Sequence, residues 1–248
     1  MDVIKKQFKI VFDPQTEKAL DKKDGWYAIA YFLYLMIFIY LLGLFMFKTS
    51  YINDLSRHFD NKYLFKNMLY FPIALLQILP VFLILYLRKQ PVWTMGLTLR
   101  RLIPSIVIGI IACLPLNLTK LFNYIDHSNG FHLKGSEAFY NLVYFLVFIA
   151  FVEELIFRGF IQARVLRLVS NKYLAILIVA VMFSVMHIPF QMIKAQMGLI
   201  EFIAYDWPHL LITGLMHIYF VYIYTRTNNL VAPSIAHGLN DFIQTSIY

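Results

Sequence analysis

The sequence predicts an all-α fold, a polytopic transmembrane helical bundle of about seven or eight spans with its polar site inside the bundle. Three observations carry this. Of 248 residues, 60% are hydrophobic and only 15% charged, with a mean hydropathy of +0.65, whereas soluble chains are roughly 45–50% apolar and about 25% charged. The apolar residues are gathered into long uncharged runs. Three places within or continuing those runs stand out for their ionisable residues.

In chain order the runs are Gly25–Phe47, Asn67–Leu87, Leu102–Thr119, Ala138–Val152, Tyr173–Ile193 and Trp207–Thr225. A shorter run from Thr227 onward is broken only by Asp241. About 20 apolar residues in a helix cross a hydrocarbon core of about 30 Å, so six clear spans and a seventh are expected. Gly25–Phe47 is too long for a signal-peptide core and has no small-residue cleavage pattern after it, which reads as an uncleaved span. Pro72 and Pro80 fall inside the second span and are expected to kink it. One cysteine, Cys113, allows no internal disulfide and no cysteine metal cluster. These features exclude a secreted domain, a nucleic-acid binder and a β-rich architecture. The chain divides into a polar segment 1–24, accessory helices over 25–137 and a core over 138–248, all in one membrane domain.

The net charge of +8 is expected to record topology, since basic residues collect on the cytoplasmic side. Lys5, Lys6, Lys9, Lys18, Lys22, Lys23, Arg88, Lys89, Arg100, Arg101, Arg164, Arg167, Lys172 and Arg226 lie on one side of the alternating connections. Lys48, Arg57, Lys62, Lys66, Lys120, Lys134 and Lys194 lie on the other. The two-to-one bias predicts a cytoplasmic N-terminus, and seven spans would put the C-terminus outside; the expected location is the cytoplasmic membrane of a bacterium. Trp26, Trp93 and Trp207 fall at span ends, where an interfacial aromatic belt places them.

An ionisable group at the centre of a span costs about 2.5–3.5 kcal/mol and so has a reason to be there. The first place is Phe151-Val-Glu153-Glu154-Leu-Ile-Phe-Arg158-Gly-Phe160, which continues an uncharged run. Adjacent carboxylates point about 100° apart on a helix, so Glu153 and Glu154 have different tasks. Glu154 and Arg158 share a face and can pair. Glu153 has no local partner, and a lone carboxylate in low dielectric suits a general base. The alternative, a helix ending at Glu153 with both acids in water, conflicts with the apolar residues that follow. The second place is His187, in Phe183-Ser-Val-Met-His187-Ile-Pro189. The third is His237-Gly-Leu-Asn240-Asp241, in which His237 and Asp241 share a face. Six such groups on three spans have no lipid-facing home and should converge on one internal pocket. Together they offer a hydrolytic site, or equally a Glu153, His187 and His237 zinc site with one position open for water. Convergence at one depth requires span four to continue to about Arg164, or span five to start late. His58, His127, His132, His209 and His217 read as connection, span-end or packing residues.

The ordered triple Glu153-Glu154-x-x-x-Arg158, Phe183-x-x-x-His187 and His237-x-x-x-Asp241 resembles the three motifs of the CPBP or Abi family, the CAAX proteases and bacteriocin-processing enzymes related to Rce1-type prenyl proteases. Gly214, Thr225, Asn229-Leu230 and Pro233 resemble the approach to the last motif. The resemblance covers about residues 138–241 and implies an intramembrane endopeptidase that hydrolyses membrane-associated or lipidated peptides. By that resemblance 138–248 is the catalytic core. Glu153 would activate water beside His187, His237 and Asp241 would stabilise the oxyanion, and Glu154 and Arg158 would hold the base. It leaves open a zinc-dependent and a metal-free glutamate mechanism. Because an ionised Asp241 cannot donate to an oxyanion, the aspartate favours a bound cation. The expected partners are a peptide or protein substrate and the bilayer, with no nucleic acid. The other readings are a non-proteolytic regulator or bacteriocin-immunity scaffold, and a transporter, which the absence of a repeat between the halves disfavours.

Overall fold

Nine helices follow from the runs and their caps among the residues that the computed structural model describes, which are 9–126, 130, 131, 133 and 135–247. His127, His132, Lys5, Lys6 and Lys134 lie outside the described residues. The helices are α1 Pro14–Ala19, α2 Lys22–Lys48, α3 Tyr51–Ser56, α4 Lys62–Leu87, α5 Leu102–Ile125, α6 Ser136–Val165, α7 Lys172–Ala195, α8 Leu199–Thr227 and α9 Val231–Ser246. Among the described residues there is no strand, only an isolated bridge between Phe131 and Ile247.

Five helices, α2, α4, α5, α6 and α7, are long and apolar enough to cross a membrane. The count differs from the expected six because His209, His217, Tyr219, Tyr222 and Tyr224 dilute α8. Helix α9 has 16 residues, short of the roughly 20 a span needs. Large apolar side chains such as Leu33, Ile37, Leu83, Ile103, Ile111 and Phe122 face outward, an exposure suited to lipid rather than to water. Helices α6 and α7 are the interior of the bundle.

Local chemistry sets the helix ends. Asn61 and Asn171 each accept two backbone N–H groups at the starts of α4 and α7, which is what an Asn N-cap does for orphan donors. Asp21 and Asp24 form a reciprocal capping box at the start of α2. Arg88, just past α4, bonds both of those carboxylates, at 2.7 Å to Asp24 and 2.9 Å to Asp21. Because Asp24 is buried, Arg88→Ala is expected to cost about 2 kcal/mol, between an exposed pair and a fully buried one. Thermal unfolding in detergent measures it.

Helix α6 decides where the site can form. It runs 30 residues, from Ser136 to Val165, so it passes Arg158 as convergence of Glu153 and His187 requires. Polar groups beyond Glu153 find partners inside the bundle instead of ending the helix. Gln162 accepts from His217 Nε2 at 3.1 Å, and Arg164 donates to Gln90 at 2.5 Å and to the Phe160 carbonyl at 3.2 Å.

Candidate active site

Three helices supply the site. On α6, Phe151–Glu154 is an ordinary α turn between two π-helical stretches, Tyr144–Ala150 and Leu155–Gln162, a widening often found at functional positions. Glu154 and Arg158 lie on the inner side, both fully buried, with Nη1 of the arginine 3.0 Å from Oε1 of the glutamate. The Arg158 guanidinium also lies over the rings of Phe183 and Phe220, at 4.5 and 5.2 Å, an attraction of cation and ring face that helps keep a cation in an apolar interior.

The same Oε1 of Glu154 accepts a hydrogen bond from Nδ1 of His237 on α9, at 2.8 Å. The bond fixes the ring, which stacks on Phe220 with centroids 4.9 Å apart. It also turns Nε2 outward, 3.4 Å from Asp241 Oδ2 and 4.0 Å from Glu153 Oε2. A continuous line therefore runs from Arg158 through Glu154 to His237, and on to Asp241 and Glu153. On α7, His187 donates from Nδ1 to the Phe183 carbonyl at 2.8 Å, which leaves Nε2 as an acceptor in the neutral ring.

Glu153, His187, His237, Asn240 and Asp241 all line one cavity of about 1000 Å³ inside the bundle, a size suited to a peptide segment rather than a single water. Its walls include Leu35 and Ile39 of α2, Lys66 and Tyr70 of α4, and Tyr144, Phe145 and Phe157 of α6. Of the six residues expected at the site, four reach this cavity, and Glu154 and Arg158 stand behind it. His217 is a core residue against Phe157 and Phe183, and His209 pairs with Asp206 at 3.1 Å.

Helix α9 is held close by two glycines. A Cβ on Gly109 of α5 would meet the Ala232 carbonyl at 2.7 Å, and one on Gly238 would meet Leu146 Cα at 2.9 Å. Gly238 adjoins His237, so Gly238→Val is expected to push α9 off α6 and cost about 1–3 kcal/mol. It should lower activity though no polar group of the site changes; thermal unfolding and a rate assay read the two effects.

Two cavity residues had no sequence signal. Tyr144 is nine residues before Glu153, which in an unbroken α-helix places it about 180° away; the π turns between them bring both to the cavity. Asn240 stands inside the last motif but had no assigned task. It donates to Asp241 at 3.1 Å and accepts from Asn117 of α5 at 3.2 Å, which orients the aspartate.

For the zinc alternative of Glu153, His187 and His237, no group of three His, Cys, Asp or Glu side chains placed to hold a metal ion is present among the described residues. His237 gives Nδ1 to Glu154 and His187 gives Nδ1 to a carbonyl, bonds of the kind that also orient a metal-binding histidine.

No curated protein and no solved structure matches the chain. Residues 135–243 match the family model Rce1-like, type II CAAX prenyl endopeptidase Rce1-like. The match opens one residue before α6 and closes within α9, so it takes in every polar side chain of the three motifs. With five helices apolar enough to span, the chain is an integral membrane protein. Its site-bearing residues 135–243 are similar to the Rce1-like family of type II CAAX prenyl endopeptidases.

Proposed function

We propose that this protein is an intramembrane endopeptidase that hydrolyses peptide bonds of membrane-associated or lipidated peptides with a water activated by Glu153 and His187. The observation that carries the reading is His237. A wholly buried Arg158–Glu154 pair grips one ring nitrogen, and the other is aimed at Glu153 across a cavity large enough for a peptide. A histidine held in that way is an oriented donor.

Glu153 takes a proton from the water, and the oxygen attacks the scissile carbonyl carbon. The negative charge that develops on the carbonyl oxygen is met by Nε2–H of a doubly protonated His237, with Asn240 as a second donor in reach of the cavity. Glu153 then gives its proton to the amine as the C–N bond breaks, so the carboxylate is restored and one water is consumed. His187 accepts from the water through Nε2 and holds it on the attack line. Glu154 and Arg158 position the oxyanion donor, and Asp241 helps keep that donor charged. The apolar and aromatic walls formed by Leu35, Ile39, Phe145 and Phe157 suit an apolar or prenylated chain.

The test is cleavage of a quenched fluorescent peptide library, with lipidated and unlipidated members, by the purified protein in detergent with and without a zinc chelator. Wild type is expected to cleave, and His237→Ala to lose about 10²–10³ in rate. Undiminished cleavage by His237→Ala would overturn the assignment, and loss on chelation would show that a metal takes part.

A further inference from the structure

Helix α5 lies outside residues 135–243 and carries none of the three motifs, yet it places a buried amide at the back of the site. Asn117 is 1% exposed and is absent from the cavity wall, so it does not reach a substrate. Its Nδ2 donates to the Cys113 carbonyl at 3.0 Å, with the sulfur of the same residue at 3.3 Å, and to Asn240 Oδ1 at 3.2 Å. Its Oδ1 accepts from Gln244 Nε2 at 3.0 Å.

The backbone decides the direction of these bonds. The two ends of a carboxamide are alike in shape and opposite in role. A backbone carbonyl only accepts, so the Cys113 oxygen fixes which end of Asn117 is the nitrogen. The Leu116 carbonyl, 3.5 Å from Gln244 Nε2, fixes Gln244 in the same way, and the two agree. The second N–H of Asn117 then meets Asn240, which can receive it only on Oδ1. Asn240 is thereby settled: its nitrogen faces the other way, with one N–H on Asp241 Oδ1 at 3.1 Å. No hydrogen bond among the described residues takes its second N–H, and the residue lines the cavity. Asp241 also attracts that nitrogen, but a single bond leaves an amide free to turn about it. The bond at Oδ1 is the second point that stops the turn.

We propose that Asn117 is a positioning residue that holds Asn240 by its oxygen, so that the Asn240 N–H stays turned to the cavity as a donor. The proposal rests on the endopeptidase reading for the use made of that donor. The plainer role for Asn117 is to dock α5 on α9. Lys120 does that as well, donating to the Gln244 and Ile247 carbonyls at 2.9 and 2.5 Å, and it has no bond to Asn240. It therefore separates docking from positioning.

The test is cleavage kinetics in detergent. Asn117→Leu is expected to lower kcat about two- to ten-fold, the worth of one neutral hydrogen bond, with peptide binding unchanged. In an Asn240→Ala background the same substitution should cost nothing further, since two residues that act through one contact are not additive. Asn117→Ser, whose hydroxyl still bonds the Cys113 carbonyl four residues back but falls short of Asn240, gives the same pattern and serves if the leucine variant does not fold. Lys120→Gln should lower thermal stability and leave kcat at the wild-type level. A second readout needs no cleavage. In protein labelled with 15N-asparagine, the Asn240 side-chain amide, assigned by its loss in Asn240→Ala, should exchange with water about ten-fold faster once Asn117 is replaced. Unchanged exchange, an equal loss of kcat in both backgrounds, or the same loss in Lys120→Gln overturns the proposal. Faster exchange in a protein that cleaves nothing sinks the endopeptidase reading alone, and cleavage with exchange unmoved sinks only the positioning role.

Discussion

Glu153→Gln is expected to lower kcat by about 10³- to 10⁴-fold with little change in KM. The amide has the shape of the carboxylate but cannot take a proton from water, and a positioned base is worth about 10²–10⁴ in rate. Nothing that orients the rest of the site is touched: His237 keeps its 2.8 Å bond to Glu154, and Arg158 keeps its 3.0 Å contact with the same oxygen. The loss should therefore fall on the chemical step, since an interaction absent from the bound ground state does not move KM. Single-turnover cleavage, with peptide binding measured separately, checks both halves. A variant that kept more than about a tenth of the wild-type rate would exclude Glu153 as the base.

Arg158→Met is expected to be the most damaging change to the fold. It leaves the Glu154 carboxylate, itself fully buried, with His237 alone as its partner at 2.8 Å, and removing one partner of a buried pair costs up to about 3–5 kcal/mol. It should also remove activity, because Glu154 then no longer has a fixed direction in which to hold His237. Glu154→Gln added to Arg158→Met removes the stranded charge and should restore much of the thermal stability but none of the activity. That split separates a positioning role from a packing role. Thermal unfolding in detergent and the cleavage assay, run on both variants, report it; recovery of activity in the double variant would show that the pair acts through packing alone.

The helices were legible because each run from Gly25 to Ile193 is long and nearly free of charge, and lipid leaves such a run no other structure. The end of the fourth was not. An apolar run stops at Val152, yet α6 goes on to Val165 because Glu154, Gln162 and Arg164 find partners in His237, His217 and Gln90. Those partners lie 55 to 83 residues away, and local spacing carries no record of them. The same limit applies within the site. Four-residue spacing showed that Glu154 meets Arg158 and that His237 meets Asp241, but not that Glu154 joins the two pairs. Tyr144 was hidden for a different reason: its approach to Glu153 depends on a change of helical pitch, and a pattern read at a fixed period cannot register it.

The 83 residues that separate Glu154 from His237 also have a consequence for biogenesis. Helices α6 and α7 are synthesised, and can enter the bilayer, before α9 exists. On the mechanism proposed above, a nascent chain at that stage carries Glu153 with no oxyanion donor facing it and Glu154 with a histidine that has not yet been made. Hydrolytic competence would then arise only when α9 settles between α5 and α6 at Gly109 and Gly238. On that mechanism the protein is latent while the ribosome still holds it, with no inhibitory segment required.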